Sequence, residues 1–219
     1  YTVKISINST YLLNKNCIKY LGIMIDTNLN WKSHIKLIAK KMNRNIGLLS
    51  KIRYYVFEKI RVNLYYSLIF PYLTYGIVAW GNTYTSTLNP IVILQKRVIR
   101  MITFSDYNEH TSPLFKKLNI CKLSDLAFLY TANCMHDFAF SKLPSPFDNF
   151  FVEISKAHHY NTRLASRSSY SLPRIRTNYG KFNIRFQGPK IWNSLDEKIK
   201  ASNRLAFKRK LMEKIIYSY

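Results

Sequence analysis

Carboxylates are scarce in this chain: Asp and Glu together number 11, against 34 Lys and Arg. They are also scattered, at Asp26, Glu58, Asp106, Glu109, Asp125, Asp137, Asp148, Glu153, Asp196, Glu197 and Glu213. Two-metal phosphoryl chemistry needs shared anionic ligands around cations roughly 3.5–4 Å apart, and no such cluster is written here. Asp196-Glu197 precede a basic helix and suit its first turn. Asp106, Glu109 and His110 read as turn and cap residues.

Cysteine is equally sparse. Cys17, Cys121 and Cys134 form no Cys-x-x-Cys pair, and the odd, widely spaced set reads as reduced, mostly buried thiols of an intracellular protein. Cys134 and His136, two apart on a helix, point to different faces, which excludes a zinc-finger pairing. His158-His159 are neighbours in an Arg-rich loop and suit solvent or phosphate contact. There is no Gly-rich phosphate loop and no Gly-x-Ser-x-Gly elbow. Internal repeats, low-complexity tracts and a signal or transit segment are also missing. The chain opens at Tyr1 inside a strand-like pattern, so we expect a piece of something longer.

What is present is positive charge and apolar bulk. The formal net charge is +23 with a pI near 10.0, while 47% of residues are hydrophobic and 15% aromatic. Such a bias points to a polyanion, with nucleic acid first and an anionic membrane surface second. The apolar content rules out a disordered basic tail. The organising stretch is Val62 to Gln95, which carries no charged residue. Asn63, Ser67, Pro71 and Thr74 interrupt it, and its tyrosines are spread throughout instead of lying in interfacial belts. It therefore reads as a core helix from Phe57 to about Gly81, bent near Pro71, with a membrane span as the alternative.

Basic amphipathic helices are expected around that hub. Tyr1–Asp26 reads as β, one strand around Val3, Ile5 and Ile7 and another over Cys17–Asp26, with a turn at Asn14-Lys15-Asn16. Trp31, Ile35, Ile38, Met42, Ile46, Leu49 and Ile52 form one apolar stripe of a helix capped by Asn30. Lys36, Lys40 and Arg44 share its opposite side as a basic ladder. After a polar connection over Asn82–Thr87, Asn89-Pro90 starts a helix to Thr103. Its inward face is Ile91, Leu94, Val98 and Met101/Ile102, and its basic side is Lys96, Arg97 and Arg100. A short helix opens at Ser112-Pro113, and Ser124 caps a longer one to about Phe140. Leu143-Pro144-Ser145-Pro146 is the best internal boundary. The last helix, from about Ser202, turns Leu205, Leu211, Met212 and Ile215 inward and Lys208, Arg209, Lys210 and Lys214 outward.

Six segments in this order resemble one family. They are Lys19-Tyr20-Leu21-Gly22-Ile23-Met24-Ile25-Asp26 with Trp31 and His34-Ile35, Tyr65 through Gly81, Leu94-Gln95-Lys96-Arg97-Val98-Ile99-Arg100, His110-Thr111-Ser112-Pro113-Leu114-Phe115, Tyr160-Asn161-Thr162-Arg163, and Gly188-Pro189-Lys190-Ile191-Trp192-Asn193. Together they resemble the C-terminal part of the reverse transcriptase of non-LTR retrotransposons, the LINE type, near the jockey-like branch. The resemblance implies a mainly α chain. Residues 1–27 would end the polymerase palm as a short β segment, and 28–106 would form a helical thumb bundle. Residues 107–219 would be a mixed, mostly helical nucleic-acid-binding region. It implies binding of element RNA, RNA–DNA hybrid and target DNA during target-primed reverse transcription, beside the upstream palm and fingers. It also implies a nuclear location with a cytoplasmic ribonucleoprotein stage. The family's catalytic aspartates lie in an aromatic-x-Asp-Asp turn, and this sequence has no Asp-Asp. The piece is therefore expected to be inactive alone and to hold no cofactor, the Mg2+ belonging to the parent polymerase. The zinc knuckle of some relatives is missing too.

Sequence-independent duplex binding needs phosphate contacts and no base-reading constellation. Lys36, Lys40, Arg44, Lys96, Arg97 and Arg100 are the candidates for duplex phosphates. Arg163, Arg174, Arg176, Lys181 and Lys190 alternate with Tyr160, Tyr170, Tyr179, Phe182 and Trp192, a mixture suited to single strands. Trp192, beside Ile191 and Leu195, reads as core before it reads as a stacking face. An independent basic binding module, or the inactive relic of a retroelement, is the alternative reading.

Overall fold

The computed structural model describes residues 6–7, 10–11, 15–157 and 169–219. It is mainly α, with two small antiparallel β pairs at the start, β1 (Ser6–Ile7) with β2 (Thr10–Tyr11) and β3 (Cys17–Tyr20) with β4 (Ile23–Asp26). Cys17–Asp26 is thus a hairpin and not one strand. Tyr20 pairs with Ile23 across Leu21 (φ 45°) and Gly22 (φ 82°), two positive-φ residues as a tight hairpin turn requires. Leu21 is an uncommon residue for that conformation, which hid the turn from the sequence.

Helix α1 (Lys32–Ile52) starts where Asp26 ends the hairpin. Its carboxylate accepts the N–H groups of Asn30 and Trp31 at 3.0 and 2.9 Å, while Asn30 Oδ1 accepts from Lys32 at 3.0 Å. Trp31, with φ 63°, takes the N-cap position expected for Asn30. Ile35, Ile38, Met42, Ile46 and Leu49 are buried as the stripe predicts, but Ile52, at the helix end, is exposed.

The uncharged stretch is broken into α2 (Glu58–Leu68), α3 (Phe70–Thr74) and α4 (Ile77–Trp80) before it enters α5 (Thr85–Thr103). Pro71 cannot donate to the helix, and Asn45 of α1 donates its amide to the Leu68 carbonyl at 2.7 Å. Gly76 (φ 62°) turns the chain from α3 to α4, and a Cβ there would lie 2.5 Å from Ile23 Cδ1 of the hairpin. One bent helix was the expectation. Three short ones result because Pro71 and Gly76 each end a run of backbone hydrogen bonds. No helix among the described residues is long and apolar enough to cross a membrane.

The hub's buried tyrosine, tryptophan and glutamine find hydrogen-bond partners. Tyr65 and Trp80 are wholly buried with Ile69, Leu73 and Ile77. Gln95 of α5 donates to Tyr65 Oη and to the Cys121 carbonyl, both at 3.0 Å, and accepts from Leu123 N–H at 3.0 Å. Trp80 Nε1 donates to the Tyr75 carbonyl at 2.9 Å. Burial pushes the Tyr65 hydroxyl and the Cys121 thiol up, the thiol to about 11. Helix α5 begins well before Asn89-Pro90, so Pro90 lies inside it at an exposed position.

Helices α6 (Thr111–Lys117) and α7 (Leu123–Ala139) lie where predicted, but Lys122 and not Ser124 takes the N-cap position of α7, and Ser124 falls in its first turn. A single 3-10 turn (Ser145–Phe147) and α8 (Ile154–Ala157) come next, then α9 (Asn178–Phe182), α10 (Ile184–Asn193), α11 (Glu197–Lys200) and α12 (Arg204–Tyr217). Helix α7 serves two cores. Leu126 and Ala127 join the hub, while Leu129, Ala132 and Met135 join Phe151, Tyr170, Trp192, Phe207 and Leu211. A Cβ on Gly188 would meet Met135 Sδ at 2.6 Å, so α10 crosses α7 closely because that residue is glycine. Leu205 of α12 is 83% exposed against expectation, and Phe207 takes the inward position instead. His158-His159 lie outside the described residues.

Candidate nucleic-acid interface

The candidate surface is built on α1 and α5, which pack side by side and run in the same direction. At their starts, the His34 ring meets the ring of Trp80, the last residue of α4, at 5.6 Å. At their ends, one buried guanidinium gathers both. Arg61 Nε donates to the Ile102 carbonyl at 2.8 Å, and its Nη1 donates to the carbonyls of Arg53 and Val56 at 3.2 and 2.5 Å. Helix C-termini carry partial negative charge, and Arg61 answers two of them at once. Phe104 covers it at 4.5 Å. Sequence reasoning missed Arg61. Its only signal was position, a lone arginine at the margin of an uncharged run.

Just outside this joint, Ser50, Arg53, Arg97, Arg100, Met101, Ser105 and Tyr107 line a concavity of about 280 Å³. Lys36, Asn43 and Ser50 follow at seven-residue steps, which keeps them nearly on one edge of α1. Lys36 therefore lies on the edge that borders the concavity, about 26 Å from Arg53 along the axis at 1.5 Å per residue. Each four-residue step turns about 40°, so Lys40 and then Arg44 swing progressively towards open solvent. All three are exposed.

The triad expected on α5 is divided. Arg97 and Arg100 share the concavity with Arg53. Lys96, about 100° around the helix, lines a different hollow of about 430 Å³ with Gln95, Lys122 and Leu123. Arg100 is partly committed, since its Nε and Nη2 donate to the Glu109 carbonyl at 3.0 and 2.8 Å. Asp106 and Glu109, read as turn residues, do form a turn, with Glu109 N–H donating to the Asp106 carbonyl at 3.1 Å. No cluster of His, Cys and carboxylates able to hold a metal occurs among the described residues.

The second basic set behaves differently. Arg174 and Arg176 are exposed on a segment without regular structure, Lys181 on α9 and Lys190 on α10. Arg163 and Tyr160 lie outside the described residues. Two of the aromatics paired with this set are unavailable for stacking: Tyr170 is 4% and Trp192 2% exposed, both within the second core. The Asn193 side chain clasps the Tyr170 backbone, accepting from its N–H at 2.9 Å and donating to its carbonyl at 2.8 Å. Burial pushes the Tyr170 hydroxyl up to about 12. Tyr179 remains exposed, and Phe182 packs edge-on against Tyr84 at 4.7 Å. That contact ties α9 to the start of α5.

The hairpin foot is also polar in a hidden way. Met24 N–H donates to His34 Nδ1 at 3.3 Å, and burial, reinforced by Lys41, lowers the imidazole below its usual range. His34 Nε2 is buried without a hydrogen-bond partner among the described residues. Cys134 is a partly buried thiol pushed up by burial, and His136 Nε2 lies 2.9 Å from the Ser202 carbonyl among Phe140 and Phe207. Neither forms a metal site.

No protein-family profile matches the chain, and no solved structure matches it. Curated relatives do. The RNA-directed DNA polymerase from mobile element jockey of Drosophila melanogaster is 30% identical over 124 residues, 55% of this chain and 14% of the relative. The probable RNA-directed DNA polymerase from transposon BS of the same organism is 28% identical over 125 residues, 54% of this chain and 14% of the relative. That from transposon X-element, again of Drosophila melanogaster, is 24% identical over 115 residues, 50% of this chain and 12% of the relative. The matched stretch is thus a small part of each relative. Over about half its length, at 24–30% identity, this chain is homologous to the RNA-directed DNA polymerases of jockey-like and other non-LTR retrotransposons.

Proposed function

We propose that this chain is the nucleic-acid-gripping part of a non-LTR retrotransposon reverse transcriptase. Residues 28–106 act as the thumb, 1–27 close the palm, and 107–219 add a further binding surface. It holds template RNA and primer DNA during target-primed reverse transcription, in the nucleus, beside the palm and fingers of the same polyprotein. The catalytic Asp pair and its Mg2+ belong to those upstream parts.

One observation carries this reading. Lys36 and the convergent Arg53, Arg97 and Arg100 follow a single helix seam, and among the described residues none of them is ion-paired. Cations with no internal anion, Lys36 and Arg97 exposed and Arg53 and Arg100 half-buried, suit a phosphate backbone, whose neutralisation releases counterions. The homology to polymerases adds a reason for the partner to be nucleic acid.

The test is a fluorescence anisotropy titration of the purified chain against a blunt RNA–DNA duplex over a salt series. Affinity is expected to fall steeply between about 50 and 200 mM salt, by roughly 10³-fold if six phosphates are contacted. Affinity that stays flat with salt overturns the proposal.

A further inference from the structure

The α1–α5 concavity has an aromatic rim that duplex phosphates do not require. Tyr107 is 85% exposed, and Tyr54 on the other side 68%. The Arg53 guanidinium lies 4.6 Å from the Tyr54 ring centroid and 5.2 Å from that of Phe104, while Arg100 approaches Tyr107 at 6.0 Å. Large exposed rings gathered at one place mark a contact surface. Here they surround arginines, a combination that suits a base together with its phosphate.

The arginines are themselves incompletely used. Among the described residues, buried Arg53 Nε has no hydrogen-bond partner, although its Nη2 donates to Tyr54 Oη, and Arg97 makes no ion pair. Asp106 and Glu109 sit exposed in the adjoining loop but do not pair with them. Convergent guanidinium groups repel one another until an anion enters, and their planar forks match a phosphate's oxygens. The volume, about 280 Å³, is at the small end for a ligand pocket. It can take one nucleotide inside, whereas a duplex would meet the same arginines only across its mouth.

We propose that this concavity holds an unpaired nucleotide, its phosphate among Arg53, Arg97 and Arg100 and its base stacked on Tyr107. In the proposed setting this is a flap or overhang beside the gripped duplex, so the inference deepens the nucleic-acid reading and rests on it. The alternative occupant is an acidic polypeptide segment, which lacks a stacking face.

The experiment uses the whole chain and three probes, a blunt RNA–DNA duplex, the same duplex with a four-nucleotide single-stranded extension, and that extension free as a single strand. The extension is expected to tighten binding about tenfold, as one stacked base does. Tyr107→Ala should remove that gain, so that the extended and blunt probes bind the variant equally, whereas Tyr107→Phe should keep it. Arg97→Ala should weaken the extended probe more than the blunt one. Equal affinity of the wild-type chain for both probes overturns the inference. So does a gain insensitive to Tyr107→Ala, or poly-glutamate displacing the extension with the same dependence on Tyr107. If the blunt duplex fails to bind while the free extension binds through Tyr107, the duplex grip falls and the nucleotide site stands.

Discussion

The two basic regions are alike in composition and opposite in construction. On the α1–α5 seam, arginines are supported from beneath by Arg61, and the aromatics, Tyr54 and Tyr107, face solvent. In the C-terminal region the cations face solvent, and the aromatics, Tyr170 and Trp192, are the core that holds them up. An Arg–aromatic alternation in sequence therefore does not distinguish a stacking platform from a packed interior. The distinction lies in which partner helix claims the ring. Trp192 is claimed by α7 and α12, whereas Tyr107 sits on a turn that no helix covers.

Paired truncations sharpen this contrast most strongly. Trp192→Ala should cost about 3–5 kcal/mol of stability, as for a large buried aromatic, while Tyr107→Ala should cost less than about 0.5 kcal/mol. Urea unfolding followed by circular dichroism reads both, and similar losses would erase the distinction. Arg61→Met comes next. It leaves carbonyls at two helix ends unanswered, for an expected loss of about 2–4 kcal/mol. Hydrogen exchange should localise the loosening to the ends of α1 and α5. Loss spread evenly over the chain would count against Arg61 as their common cap.

Binding separates the regions more gently. Arg97→Ala should lower the slope of log affinity against log salt by about 0.9. Arg176→Ala should do likewise only if the C-terminal segment also reaches phosphates. The smallest effect is on pH dependence. His34 has a folded-state pKa below its unfolded value of 6.5, so the unfolded chain binds more protons. The stability contributed by its neutral form is present above about pH 6.5 and is lost as pH falls through the folded-state value. Melting temperatures at pH 7.5 and 5.5 should differ more for the wild type than for His34→Gln. No change in that difference would mean that Met24 N–H does not depend on a neutral imidazole.

Periodic signals were legible in the sequence, and singular ones were not. The stripe of α1, the inward face of α5 and the extent of α7 each follow from many residues agreeing. The hairpin inside Cys17–Asp26 depended on one leucine accepting a positive φ, and the split of the uncharged stretch on Gly76 as well as Pro71. The exposed cations Lys36, Lys40, Arg44 and Arg97 could be read from helical spacing. The convergence of Arg97 and Arg100 with Arg53 could not, because it is set by Arg61 joining helix ends far apart in sequence. Leu205 and Phe207 were exchanged because a helix rich in Lys and Arg leaves few apolar positions to fix its phase.

Helix α7 gives the molecule a mechanical property. Its far end is clamped beneath Trp192, and its first residue, Leu123, hangs from Gln95 in the middle of α5, two residues before Arg97. A shear applied to the C-terminal helices is thus delivered, through one stiff rod and one amide, to the floor under the arginines. Two of Gln95's three bonds, to Cys121 and Leu123, set the register between the halves.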